Sequence, residues 1–354
     1  MEGKTHFEFI SGGTDEEKVA AKQELQDLFD EKTEEFAEYE LEKTPEDLEL
    51  ITKTESIVDR MTTQYGGESK PLPLNHIHIL KPESVSAMTD GKLENGIHYP
   101  MTQRIVVEKG ESQLLFASFL AHELFHLKSF KSGRVGSHGE GVRLYRTGLS
   151  MIDRKDTTEE GYWPKEYFGV LEEAIVAECT KKFLDELRQD PAFAEEFQAV
   201  AKLRNWVMGY YRTRGVPEEK IKEFEKEIKY IPNAQSFVKK IVTHYKNEGD
   251  MQAYAAGLFD ALHKDKKVET LERYTERTKL CELLDKIVTN SGGKFQNRDE
   301  VFDEFAKANF SGNYLPLART VESILGKGSF RKIAEDFTQT HKKEDSKTSE
   351  TTDS

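Results

Sequence analysis

The 354-residue chain is acidic: 51 Lys and Arg stand against 65 Asp and Glu, which gives a net charge of −14. This balance argues against nucleic acid or an anionic membrane as the main partner, because both would repel such a surface. Apolar residues make up 36% of the chain and charged residues 33%. These fractions predict a real core under a charged, helix-rich surface, in one elaborated domain or in two.

The first elements in chain order are a strand and two helices. Residues 6–10 alternate as a strand does, and a Ser-Gly-Gly turn follows. Residues 14–40 show a helical pattern. Thr44 is a helix N-cap with Pro45 in the first turn, and this second helix should run to about residue 65.

Three short extended segments follow the second helix. They lie at residues 76–80, 96–100 and 104–109. The middle segment ends at Pro100, which suits an edge strand because proline cannot donate a ladder hydrogen bond. We expect these segments to form a small mixed sheet.

Two buried helices are predicted in the middle of the chain. The first opens near residue 112 and carries apolar residues around its whole axis, so it should be buried. Residues 132–167 read as loop with one hairpin around 142–152. The second buried helix begins near residue 168.

The remainder of the chain is predicted to be helical. Beyond residue 190 the pattern shows helices joined by short turns, with starts at Val216 and at the N-cap Asn297. Residues 342–354 contain no apolar residue and should be disordered. We therefore predict an α+β fold in residues 1–190, an all-helical C-terminal region in 191–341 and a tail in 342–354.

Location is predicted from what the sequence lacks. The N-terminus shows no basic start followed by an apolar run, and the longest mainly apolar stretch, residues 114–121, is too short to cross a bilayer. Cys179 and Cys281 sit in helical patterns and are expected to be free thiols. We expect a cytoplasmic protein, and its oligomeric state stays open.

The most informative motif is His122-Glu123-Leu124-Phe125-His126. On a helix, residues four apart project from nearly the same face, so the two imidazoles could bind one Zn²⁺. Glu123 would then lie beside the metal as a base for a bound water. The alternative is that both histidines are hydrogen-bonded core residues, but a buried helix with three polar groups makes that costly.

A catalytic zinc site needs three protein ligands and one open position. Acids at the head of the second buried helix are the best candidates for the third ligand, because a buried charge is costly unless it is paired or bound to metal. Glu172 and Glu173 both lie there. Glu173 could instead be an N-terminal acid favoured by the helix dipole.

The order of strands, His-Glu-x-x-His helix, loop and glutamate helix resembles the gluzincin branch of the zincin metallopeptidases. Residues 169–175, Gly-Val-Leu-Glu-Glu-Ala-Ile, match a family segment of the form Gly-x-x-Asn-Glu-Ala. The resemblance covers about residues 70–185 and implies a zincin-like catalytic domain with Glu173 as the third ligand.

Two positions depart from the family pattern. The family's Asn is Glu172 here, so this acid is an alternative ligand. The family often has an acid four residues after the ligand to hold a ligand histidine, but that position is Ala177, with Glu178 one residue beyond. Glu178 is therefore an alternative ligand or a partner of a ligand histidine. The other histidines near the motif, expected in loops or at the surface or sheet edge, are His76, His78, His98 and His138.

The resemblance implies zinc-dependent hydrolysis of a peptide or protein substrate. Glu123 would act as general base and then as general acid. An oxyanion donor is also implied, with candidates Tyr162, Tyr167, Tyr210 and Tyr211. The segment at residues 96–100 could bind an extended peptide as an added strand.

Three other functions or roles stay open. The chain could be a non-catalytic metal-binding or protein-interaction module, and an intact Glu123 argues against that. It could also use another metal, or act on a non-peptide bond.

The helical region after residue 190 shows no chemistry of its own, and we expect it to complete the cleft and form an accessory bundle.

Overall fold

The computed structural model describes residues 5–31, 34–89, 95–110, 112–136, 141–153, 165–213, 215, 217–219 and 274–340. These residues form an α+β fold with two small sheets and a mainly helical C-terminal part. Among the described helices, none is both long and apolar enough to cross a membrane.

The N-terminal part contains β1 (Phe7–Ser11), α1 (Asp15–Asp30) and α2 (Pro45–Gln64). The start of α2 is as predicted: the Thr44 side chain accepts a hydrogen bond from the Asp47 backbone, and the Asp47 side chain accepts one from the Thr44 backbone. The predicted helix at residues 14–40 is too long, because residues 35–39 form a turn. The apolar side chain that extended the helical pattern, Phe36, packs instead on a small core cluster beside the first sheet.

The first sheet contains β2 (Ile77–Leu80), β3 (Gly96–Tyr99) and β4 (Arg104–Glu108), in the order β2-β4-β3. Strand β2 runs parallel to β4, and β3 runs antiparallel to β4 at the edge. This is the mixed sheet that the three extended segments predict. A short helix, α3 (Ser84–Met88), lies between β2 and β3 in the chain.

Two histidines near this sheet are more buried than a surface position would allow. His76 and His78 are 3% and 6% exposed, and His78 lies on β2, an edge strand, as one of the predicted alternatives has it. His76 lies against the Phe29 ring, and the Nδ1 atom of His78 lies 3.1 Å from a carboxylate oxygen of Glu40. Both imidazoles are therefore core residues with local partners.

The second sheet was only partly predicted. It contains β5 (Lys131–Val135), β6 (Val142–Thr147), β7 (Ser150–Asp153), β8 (Lys165–Tyr167) and β9 (Gln339–Thr340), with β1 at one edge beside β5. The hairpin of β6 and β7 is the predicted one. Strands β5 and β8 are short and polar, and β5 is held in part by β1, a distant strand, so local patterning does not reveal them.

The helices around the core are α4 (Gln113–Lys128), α5 (Gly169–Leu187), α6 (Ala194–Thr213), α7 (Tyr274–Asn290), α8 (Arg298–Ser311), α9 (Leu315–Leu325) and α10 (Ser329–Asp336). As its apolar pattern predicts, α4 is buried on nearly every side, between α2, α5 and the strands β3 and β4. Helix α5 crosses it directly, and this contact positions the candidate site.

The C-terminal helices share the main core. Apolar residues of α7 to α10 belong to the same buried cluster as those of α4 and α5. The predicted N-cap is present, since Asn297 accepts a hydrogen bond from the Glu300 backbone. The region is not all-helical, because β9 pairs with β8. The division at residue 190 stays a prediction, as does the helix start at Val216, which lies outside the described residues together with the tail.

Candidate metal centre

On α4, the Nε2 atoms of the two motif histidines, His122 and His126, face each other. Their Nε2 atoms are 3.2 Å apart, and the rings meet edge to face. This follows from the four-residue spacing, which places His126 one turn beyond His122 on the same face. His126 is 8% exposed and the side chain of His122 is 16% exposed, so both imidazoles are largely shielded from solvent.

Helix α5 supplies the third group. The Oε2 atom of Glu173 lies 3.4 Å from Nε2 of His126 and 3.8 Å from Nε2 of His122. One ligand atom from each of the three residues lies within 4.8 Å of the others. Any two ligands of a tetrahedral zinc, each bonded at about 2.05 Å, are roughly 3.3 Å apart. The three observed separations are close to that value.

The other ring nitrogens of both histidines point at acceptors. Nδ1 of His126 lies 3.1 Å from the carboxylate of Glu172. Nδ1 of His122 lies 3.3 Å from Oγ1 of Thr180, whose hydroxyl donates to the Val176 carbonyl at 2.9 Å. Because that hydroxyl proton is already used, Thr180 accepts from His122. These partners favour the tautomer with the proton on Nδ1 in both rings, which leaves the Nε2 lone pairs on the side of Glu173.

The two alternative acids have other partners. Glu172 lies on the Nδ1 side of His126, away from the Nε2 pair. Glu178 forms ion pairs with Arg277 of α7 and with Lys181. Burial raises the pKa of Glu178, but the two cations outweigh burial and hold the pKa below its ordinary value. Of the three acids considered, the structure brings only Glu173 to both Nε2 atoms.

No protein-family model, curated protein or solved structure matches this chain.

The carboxylate of Glu123 lies against the edge strand β3. A Cβ atom built on Gly96 would be 3.1 Å from both Cγ and Oε1 of Glu123, which is closer than an ordinary contact. Only glycine therefore lets the strand backbone approach Glu123 without moving it. A single glycine in a strand pattern is a sequence signal of such an approach, so Gly96 could have been predicted as a neighbour of the site.

The open side of β3 carries a defined set of backbone groups. The Glu108 amide donates to the Asn95 carbonyl at 2.8 Å. Hydrogen-bonded and non-bonded pairs alternate along an antiparallel ladder, so Ile97 points its backbone groups toward β4. By the same alternation Gly96 and His98 point theirs toward the open edge, where no described strand pairs with β3.

Two further groups, Lys131 and His98, lie near His126. Lys131 caps the C-terminus of α4, with Nζ donating to the carbonyl oxygens of His126, Leu127 and Ser129. Burial lowers the pKa of Lys131 to about 7. Burial, and then Lys131 and His126, hold the pKa of His98 well below its ordinary value. His98 lies on the edge strand β3, as predicted, although its Nε2 atom is buried.

The structure does not single out one of the four predicted oxyanion donors. Tyr162 lies outside the described residues, as does the loop histidine His138. Tyr210 and Tyr211 belong to α6. Tyr167 ends β8 and packs on the main core. The role of these tyrosines stays a prediction.

The two cysteines are free, as predicted. Cys179 is buried and Cys281 is partly buried, and burial raises the pKa of each thiol. Cys179 lies on α5 in the same core as the site, but it is not one of the groups gathered around the two Nε2 atoms.

Proposed function

We propose that this protein is a zinc-dependent peptidase of the gluzincin type, with the metal held by His122, His126 and Glu173. One observation carries the proposal: three ligand atoms from two crossing helices stand at separations of 3.2, 3.4 and 3.8 Å. Glu123, the residue after the first histidine, is a further carboxylate on the same turn of α4.

The donor set suits zinc. Two neutral imidazole nitrogens and one carboxylate form a three-ligand set that leaves a fourth position for water or substrate. The hydrogen-bond acceptors on both Nδ1 atoms support this, because they hold each ring with Nε2 as the lone-pair donor. Other divalent first-row metals accept the same donors, so the metal must be identified by measurement.

Glu123 is the residue for proton transfer in this proposal. A zinc ion, when bound, would polarise a carbonyl and make water acidic enough to react near neutral pH. Glu123 would accept the proton of the attacking water and later deliver it to the leaving amine. Because Gly96 has no Cβ, it leaves the room that the Glu123 carboxylate occupies in this position.

The substrate in this proposal is an extended peptide or protein segment. Strand β3 is at the edge of its sheet, where Gly96 and His98 direct their backbone groups to the open side, and Glu123 lies close to Gly96. A peptide added there as a further strand would bring a scissile bond to the base. Residues 70–185 would then form a zincin-like catalytic unit in a cytoplasmic protein, with neither nucleic acid nor a membrane as partner.

Metal content and cleavage test the proposal together. Elemental analysis of the wild type should give one equivalent of zinc, and His122→Ala and Glu173→Ala should each lose it. Loss in the first variant alone would move the third ligand to another acid.

The Glu123→Gln variant separates enzyme from binding module. It should keep its zinc and cut a mixture of unstructured peptides about 10²- to 10⁴-fold more slowly, the usual contribution of a general base. Zinc binding with no cleavage by the wild type, and partner binding unchanged in the variant, would favour a non-catalytic module.

A further inference from the structure

The imidazole of His126 lies between two successive glutamates of α5. Glu173 lies on its Nε2 side, and Glu172 lies on its Nδ1 side, with both carboxylate oxygens 3.1 Å from Nδ1. Neighbouring helix residues project about 100° apart, so one turn of α5 can reach both edges of a ring that points at it.

Glu172 is a buried carboxylate with its own support. It is 4% exposed, and the Ser129 hydroxyl lies 3.3 Å from Oε1. The Asn309 amide of α8 donates to that same hydroxyl oxygen at 2.9 Å. Lys131, which is fully buried, adds a favourable electrostatic interaction with Glu172. A buried charge is costly unless such groups compensate it, so this carboxylate is held in one place.

The two histidines are therefore supported differently. His122 donates to a neutral hydroxyl, that of Thr180, at 3.3 Å. His126 donates to a carboxylate, and a hydrogen bond to an ionised acceptor is roughly twice as strong as one between neutral groups. A negative partner on Nδ1 also makes Nε2 a stronger electron donor toward a metal.

We propose that Glu172 is a positioning residue of the metal centre: it fixes the ring and tautomer of His126 and strengthens Nε2 as a ligand. This inference rests on the proposed metal site and adds a residue to it. In the position where the resembling family has asparagine, this chain has a carboxylate that does the work of the acid missing at Ala177.

Three variants on α5 test the role of Glu172. Glu172→Gln keeps the size of the side chain and an oxygen that can accept from Nδ1 of His126, but removes the charge. Glu172→Ala removes charge and hydrogen bonds. Glu178→Gln is the matched control, since it neutralises a partly buried carboxylate of the same helix that pairs with Arg277 instead of a histidine.

The measurements are the Kd for zinc, from competition with a coloured chelator, and the visible spectrum of the cobalt-substituted protein. Loss of a partner of this kind weakens metal binding about 10- to 100-fold. We expect about tenfold weaker zinc binding and a changed cobalt spectrum in Glu172→Gln, a larger loss in Glu172→Ala, and wild-type values in Glu178→Gln. If the Ala variant does not fold, the Gln variant alone decides.

Two outcomes overturn the inference, and they differ from each other. If Glu172→Gln lowers the thermal stability of the metal-free protein but leaves the zinc Kd and the cobalt spectrum unchanged, Glu172 is only structural and the proposed function stands. If the wild type binds no zinc, the metal site itself is refuted and the inference with it.

Discussion

The replacement Gly96→Ala tests whether the room that Gly96 leaves sets the position of Glu123, the proposed base. The added Cβ would lie 3.1 Å from Cγ and Oε1 of Glu123, whereas ordinary contacts begin at 3.4 Å. The carboxylate must therefore move by at least the difference, about 0.3 Å, and its rotation moves the oxygens further. A 1 Å misplacement of a catalytic group costs about 100-fold, so a shift of about 0.3–0.5 Å should lower kcat/KM about four- to tenfold.

The assay is cleavage of a peptide that the wild type cuts, with zinc affinity measured in parallel. Zinc affinity should stay at the wild-type value, because Gly96 meets Glu123 and not a proposed ligand. Gly209→Ala is the matched control: among the described residues outside its own helix, none lies within 4 Å of a Cβ built there, and cleavage should not change. An unchanged kcat/KM in Gly96→Ala would refute the view that Gly96 sets the position of the base.

Three further predictions concern stability. The folded-state pKa of Glu178 is below its ordinary value of 4.5. The ion pair with Arg277 therefore stabilises the fold above pH 4.5, and this stabilisation is lost as pH falls through the lowered pKa. Glu178→Gln should flatten the acid side of a plot of stability against pH. Arg146 donates to the carbonyl oxygens of Gly148 and of residues 308 and 312 of the C-terminal part. Arg146→Lys should lower the free energy of unfolding by about 3 kcal/mol in urea titrations, since it loses the planar fork, and a change below 1 kcal/mol would contradict this. Gly148 has a positive φ and its Cβ would overlap the Asn309 amide, so Gly148→Ala should cost about 2–4 kcal/mol by the same titration, with unchanged stability as the contrary result.

Local patterns predicted the parts of the site that lie within one helix. The spacing of His122 and His126 fixes a shared face, and the apolar surroundings of the motif predict its burial. Thr180 was also within reach of such reasoning, because it lies seven residues after Glu173 and therefore on the same face of α5. Only the nearest acids of α5 were predicted to contact the histidines, so Thr180 was not predicted.

The roles of Glu172 and Glu173 could not be assigned from sequence. The two residues are adjacent acids in the same turn, and their difference arises from the way α5 crosses α4. That crossing depends on the packing of two buried helices, which periodicity does not specify. Strand β9 is another such case, since two residues near the end of the described chain pair with a short polar strand that precedes them by more than 170 positions.

A hydrogen-bonded path joins helix α8 of the C-terminal part to Glu172 of the candidate centre. Asn309 of α8 donates to Ser129, which lies just after the His126 helix, and Ser129 contacts the carboxylate of Glu172. The same asparagine accepts from the Leu149 amide of the second sheet, so it joins three parts of the fold at one buried point. A half-satisfied buried network is costly, so each member constrains the others. A helix 180 residues away along the chain therefore helps to set the orientation of a proposed zinc ligand, although the helical region carries no catalytic motif of its own.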